Sequence, residues 1–377
     1  MRVFRDKVFA KGLIERIKQE LKEVKRERGL EKVRIMNFCG THEWTITHYG
    51  LRSVLPPEIE LIPGPGCPVC ITPGYYVDVL IDLCLNEKFT ILTYGDAFKL
   101  PGSKLKYPRN LMEAKAIGGD VKVVYSFTDA LRNARENRGK VNVFFAIGFE
   151  TTMPSTAIPT MLGILPENLL LLLAYRYTPP VMRHLLDRYP QISLNGIIAP
   201  GHVSTIIGSN AWEFIPIEHG IPVVVAGFEP LDVIISVYYI LKMMRGKPMV
   251  INEYSRVVKP WGNVYAKKAI ETVYEPVNGY WRGIGEIPRS GVKHREVFAK
   301  NDLFTHLEVE SVEYRDDKLP GCLCDKVVLG LVKPTQCPLF MKTCTPVNPY
   351  GPCMVSSEGT CRIWAEHSAW GLQSDVE

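Results

Sequence analysis

At 377 residues, with 46% hydrophobic and 23% charged side chains, the chain has an ordinary globular composition and the length for two or three domains. Disordered, fibrous and disulfide-stapled miniature folds are excluded. The net charge of +5 does not imply nucleic acid, because residues 1–34 carry 12 Lys and Arg against 6 Asp and Glu, leaving 33 against 34 in the remainder.

Within that basic segment Leu13, Ile14, Ile17, Leu21 and Val24 recur at helical spacing. They predict an amphipathic helix within residues 1–30 that lies on the protein with its charges in water, without the aromatic interleaving of a nucleic-acid grip. No basic stretch, apolar run and small-residue cleavage site open the chain, and no apolar run nears the roughly 18 residues of a membrane span. The expectation is a soluble cytoplasmic protein with neither nucleic acid nor membrane as partner.

Over the first 250 residues one pattern returns: a β-branched run, a Gly/Pro-rich polar turn, then a helical stretch. It occurs at VRIMNF/CGTHE, IELI/PGPGCPVC, TILT/YGDAF, VNVFFAI/GFETT, NGIIA/PGHVS and IPVVVA/GFEP. Such strand-to-helix units predict an α/β fold of parallel sheets flanked by helices, with polar residues gathered at the carboxyl edges where ligands bind. The long, Gly-punctuated interval after TILT divides the region into two lobes, 31–125 and 126–255. From about residue 255 the texture changes to short β-like pieces, RVVKPWGNVYAKKAIETVYEPV. The last 60 residues, within a C-terminal region 256–377, are loop-rich and Pro-rich, too poor in apolar residues for a large core unless a metal centre adds stability.

Ten cysteines in a reducing compartment point to metal or redox work more than to structural disulfides. Cys84, in VDVLIDLCL, reads as core packing on a helix. Cys322, Cys324, Cys337, Cys344, Cys353 and Cys361 lie at gaps of 1, 12, 6, 8 and 7 residues. Four thiolates suit tetrahedral zinc or a [4Fe-4S] cluster, and these wide gaps with two sulfurs to spare favour the cluster plus a thiol pair. Cys67 and Cys70, after a strand and at a helix start, suit a redox disulfide, half of a metal site, or a tight turn. Cys39 and His42 offer a thiolate and an imidazole three residues apart. The sheet argument brings Cys39, Cys67, Cys70 and Asp96 to neighbouring strand ends, whereas a Cys/His nucleophile lacks a supporting elbow motif. In GFETT and PGHVS the Thr and Ser residues suit helix caps, which leaves Glu150 and His202 as candidate pocket residues.

Together CGTHE, PGPGCPVC, GFETT, PGHVS and GPCMVSSEGTC resemble the hydrogenase expression/formation protein family HypD, over essentially the whole chain and in order. The resemblance implies a scaffold that assembles the iron fragment of [NiFe]-hydrogenases, an iron with two cyanides and one carbon monoxide. It also implies a HypC-type small chaperone and a HypE-type cyanide donor as partners, and a [4Fe-4S] cluster in surroundings similar to those of ferredoxin:thioredoxin reductase. Carried onto this sequence, it puts Cys39, His42, Cys67, Cys70 and Asp96 in the active region and Glu358 and Cys361 at the cluster. On that footing Cys39 is expected to ligate the iron, with His42 and Asp96 assisting, and Cys67 with Cys70 to form a thiol–disulfide pair. Cys322, Cys337, Cys344 and Cys361 are expected to hold the cluster, with Cys324 and Cys353 as a neighbouring thiol pair. The competing readings are a zinc-stabilised binding module, which lacks any phosphate-loop or dinucleotide motif after the six strands, and a plain thiol–disulfide oxidoreductase.

Overall fold

The computed structural model describes residues 6–104, 106–308 and 317–368. Helix α1, Lys7–Arg28, is started by the Asp6 carboxylate, which accepts the amides of Val8 and Phe9, and stopped by Gly29 at φ 64°. Such a cap contributes about 1 kcal/mol. Its larger support is the stripe Leu13, Ile17, Leu21 and Val24, buried against the helix Pro230–Arg245. Arg28 donates to the Met244 carbonyl, and Arg245 pairs with Glu20 and Glu27, so part of the basic face is used internally.

Among the described residues, nine strands form two all-parallel sheets. The first is ordered β2-β1-β7-β8-β9, from Ile59–Pro63 (β2), Val33–Asn37 (β1), Gly196–Pro200 (β7), Val223–Ala226 (β8) and Val250–Asn252 (β9). The second is ordered β4-β3-β5-β6, from Val121–Val123 (β4), Phe89–Thr93 (β3), Val141–Gly148 (β5) and Leu169–Tyr175 (β6). All six expected units are strands followed by helices or helical turns. Helices α2 (Gly40–His48), α3 (Leu51–Val54) and α4 (Gly74–Cys84) connect the first three. Among the described residues no helix is long and apolar enough to cross a membrane.

The two sheets do not follow the chain in two consecutive blocks. The first takes residues 33–63 and then 196–252, and the second takes 89–175, so a cut at residue 125 falls inside the second sheet, between β4 and β5. The reason is the pairing of β1 with β7 at Ile35–Gly196, Met36–Ile197 and Asn37–Ile198, which the long interval in sequence conceals. The stretch Val264–Val273, expected as β-like, is a helix. Asn263 caps it, and Ala266, Ala269, Ile270 and Val273 bury one face at helical spacing. Tyr274–Trp281 (β10) and Gly285–His294 (β11) then form an antiparallel hairpin.

Residues 317–368 contain only short helices, the longest being Thr360–His367. They form the expected small cysteine-rich region, yet Val327, Val328, Phe340, Met354, Val355 and Ile363 are buried in one continuous core with side chains of both sheets. Cys84 ends α4, buried, with its thiol on the Ile81 carbonyl.

Candidate metal and thiol centre

The site is built from the carboxyl end of β1. Cys39 directly follows that strand region and caps α2 in extended conformation. Beside it, β2 runs into Pro63-Gly64-Pro65-Gly66-Cys67, pinned by the Gly64 amide on the Asn37 carbonyl at 2.7 Å. A Cβ at Gly66 would lie 2.6 Å from the Cys39 N and Cα atoms, so only glycine lets the loop press Cys67 against Cys39. Cys67 and Cys70 form a disulfide, and the Cys70 amide also donates to the Cys67 sulfur at 3.1 Å.

Cys39, Cys67 and Cys70 line one small cavity, which also includes Asn37, Glu43, Cys353 and Glu358. Burial pushes the Cys39 thiol up to about 11, with a further push from the Glu358 carboxylate and opposition from the amides of His42 and Thr41. Glu358 packs directly on Gly40. Burial, with a smaller effect of Asp96, raises its own carboxyl to about 7. Asp96 is reached from the other sheet, after β3, where it accepts the hydroxyls of Ser356 and Ser357 at 2.9 and 3.0 Å. Those hydrogen bonds tie Asp96 to the loop that carries Glu358.

The His42 ring is not bonded to Cys39. Its Nε2 donates to the Gly227 carbonyl at 2.8 Å, burial holds it down to about 4, and Nδ1 is buried without a partner. It stacks on Phe228, whose ring in turn stacks on His202, with centroids 4.7 and 3.9 Å apart. This ladder joins the ends of β7 and β8 to α2. Burial lowers His202 as well. Glu150, at the end of β5, accepts both the amide and the hydroxyl of Thr178 at 2.7 Å, and burial raises it to about 7. It caps the helix Thr178–Arg188 instead of lining the Cys39 cavity.

The C-terminal sulfurs form a second group. Those of Cys324, Cys353 and Cys361 lie within 4.8 Å of one another, and Cys322 lies 3.2 Å from Cys324. A Cβ at Gly351 would strike the sulfurs of Cys322 and Cys324, so that glycine is the floor of the group. Cys344 takes the amides of Tyr350 and Gly351 at 3.4 and 3.5 Å. Cys337 is buried at the opposite end of the tight loop that leads to Cys344. Of the four expected cluster ligands, Cys361 alone belongs to the close trio, which otherwise contains both members of the expected thiol pair. Cys353 is held well below the usual thiol range because Cys324 and Cys361 both donate to its sulfur. An all-sulfur donor set of this kind can hold a soft metal centre.

One residue that motif reading left without a role joins the two groups. Glu43, fully buried in α2, accepts from Asn37 at 3.0 Å, from Arg52 at 2.9 Å and from the Trp364 indole at 2.7 Å. Trp364 belongs to the helix that begins beside Cys361, so this carboxylate ties the cysteine-rich region to the helix that Cys39 caps. Its sequence signal is the Glu of CGTHE, one position beyond the His that drew the chemical reading.

Comparison with known proteins decides the family. A family model described as "HypD: Hydrogenase formation hypA family" matches residues 9–368. The hydrogenase maturation factor HypD2 of Bradyrhizobium diazoefficiens is 40% identical over 99% of this chain and 97% of its own length. The chain belongs to the HypD family. HypD of Rhodobacter capsulatus is 40% identical, covering 97% of each chain, and HypD of Escherichia coli is 40% identical over 89% of each. The HypD family thus spans both sulfur groups and the strands that position them.

Proposed function

We propose that this chain is a hydrogenase maturation factor that holds an iron with cyanide and carbon monoxide ligands at Cys39 while the fragment is assembled. The observation that carries this reading is the convergence of Cys39, Cys67, Cys70, Cys353 and Glu358 on one cavity, in a chain whose relatives are named hydrogenase maturation factors. The iron fragment is cargo. It needs a soft, deprotonated ligand, and the buried Cys39 thiol, pushed up to about 11, surrenders its proton only as iron binds. Glu358, held at about 7 and on the same cavity as Cys39, is a base suited to take it. His42 acts through its backbone and through the Phe228–His202 ladder, fixing the start of α2, and Asp96 fixes the loop of Glu358.

Cysteines between 322 and 361 would hold a [4Fe-4S] cluster. Bound there, such a cluster supplies single electrons to neighbouring thiols. Cys67 and Cys70 cycle between the disulfide and two thiols, and the reduced pair leaves room and charge for iron at Cys39. A site with a single firm thiolate needs an outside ligand, which a HypC-type chaperone would bring, with a HypE-type donor supplying cyanide.

The test is genetic and analytical. Expression in a bacterium lacking its own family member should restore hydrogenase activity, Cys39→Ala should abolish the rescue, and anaerobically purified protein should be brown with iron and acid-labile sulfide. Colourless protein holding zinc, or rescue by Cys39→Ala, contradicts the reading.

A further inference from the structure

We infer that Arg282 is the buried cation that sets how readily the Cys67–Cys70 disulfide is reduced, a positioning role that rests on the redox reading above. Arg282 follows β10. Its amide donates to the Ile71 carbonyl at 2.8 Å, which straps it to the loop one residue after Cys70. Its side chain is 4% exposed and lines a cavity of about 20 Å³ with Cys70, Cys322 and Cys324.

The guanidinium is incompletely matched. Nη2 donates to the Gly102 carbonyl at 3.0 Å, and Nε faces the Asp317 carboxylate at 3.3 Å. Nη1 is buried with no hydrogen-bond partner. The other charges at the cavity are already engaged: Lys318 pairs with Asp325 at 3.0 Å, and Asp317 also accepts the Gly74 amide. Burying a charge costs several kcal/mol, and an ion pair serving structure alone is expected to satisfy its donors. The guanidinium, its charge matched by Asp317, therefore keeps one N–H without a protein acceptor at a cavity that Cys70, Cys322 and Cys324 also line.

Reduction breaks the S–S bond. Two electrons enter from a dithiol reductant, which becomes its own disulfide, and protons from solvent complete the thiols except where one remains thiolate. The Cys70 amide already favours thiolate at Cys67. In a low-dielectric pocket a guanidinium favours that negative product over the neutral disulfide, so Arg282 makes the pair easier to reduce, and Asp317 moderates it.

The full-length protein is equilibrated anaerobically in dithiothreitol redox buffers, its thiols trapped by alkylation and the Cys67–Cys70 peptide quantified. Arg282→Gln should need a roughly tenfold more reducing buffer, about 30 mV by the two-electron relation. Arg282→Lys should return most of the shift, and Asp317→Asn should move the couple the opposite way. Loosening of the loop would move Arg282→Gln and Asp317→Asn together, and that result, or no shift, overturns the role of Arg282. If Arg282→Gln fails to fold, a negative shift in Asp317→Asn overturns it alone. A wild-type pair that shows no two-electron transition in any buffer refutes the redox reading itself.

Discussion

Cys39, Cys67 and Cys70 stand where the ends of β1 and β2 put them, held by strand pairing and a glycine-tight loop, whereas the cysteines between 322 and 361 stand on short helices and turns. In the first group the backbone positions the sulfurs. In the second, the sulfurs contribute to positioning the backbone, with Glu43 and the shared core as the other anchors. The difference teaches that the same ligand atom can be a passenger of the fold or one of its supports, and the two respond differently to removal.

The largest effect is expected from breaking the second group. Cys361→Ser should lose most of the bound iron and expose residues 317–368 to proteolysis and rapid hydrogen exchange, while Cys39→Ala leaves exchange in both regions near wild type. Equal loosening by both variants would erase the distinction. Next come two glycines. Gly66→Ala forces a Cβ to within 2.6 Å of Cys39 backbone and should lower stability by about 1–3 kcal/mol, read by denaturant unfolding. Gly351→Ala meets only sulfur side-chain ends, so it should lower iron content more than stability.

Much of the first group was legible in sequence because β-branched runs ending in polar turns mark parallel strands and their functional edge. β6 was hidden by its composition, LLLLLAY, which lacks β-branched residues and is buried along its whole length in the second sheet. The allotment of strands to sheets was hidden because it depends on β1 pairing with a strand some 160 residues later. Asp96 was expected beside Cys39 on one sheet and instead reaches the site from the other through Ser356 and Ser357. The grouping of the C-terminal thiols was not legible, since loop conformation and not periodicity decides which sulfurs meet.

Two buried acids sharpen the comparison further. Glu150, remote from the sulfurs, has a folded value of about 7 against an ordinary 4.5. Between those values the native state keeps a proton that the unfolded chain has released, so this group lowers stability as pH rises from about 4.5 to about 7. Glu150→Gln should flatten that slope, gaining of order 1–3 kcal/mol over wild type by pH 8, measured by unfolding at pH 5 and 8. Glu358, at the junction of the two groups, should act on reactivity. Its charge helps raise Cys39, so Glu358→Gln should speed Cys39 alkylation several-fold at pH 8.5. The gain should shrink near pH 6, where the wild-type carboxyl is itself protonated. An equal effect at both pH values would contradict a charge mechanism.

The central claim is that Cys39 is the iron ligand and Cys67 with Cys70 the redox pair. Infrared spectra of the anaerobically purified protein with the proposed HypC-type chaperone test it most directly. Cys39→Ala should abolish the cyanide and carbon monoxide bands while the visible absorption of the C-terminal cluster persists. Bands that survive in Cys39→Ala but vanish in Cys67→Ala or Cys70→Ala would contradict the assignment.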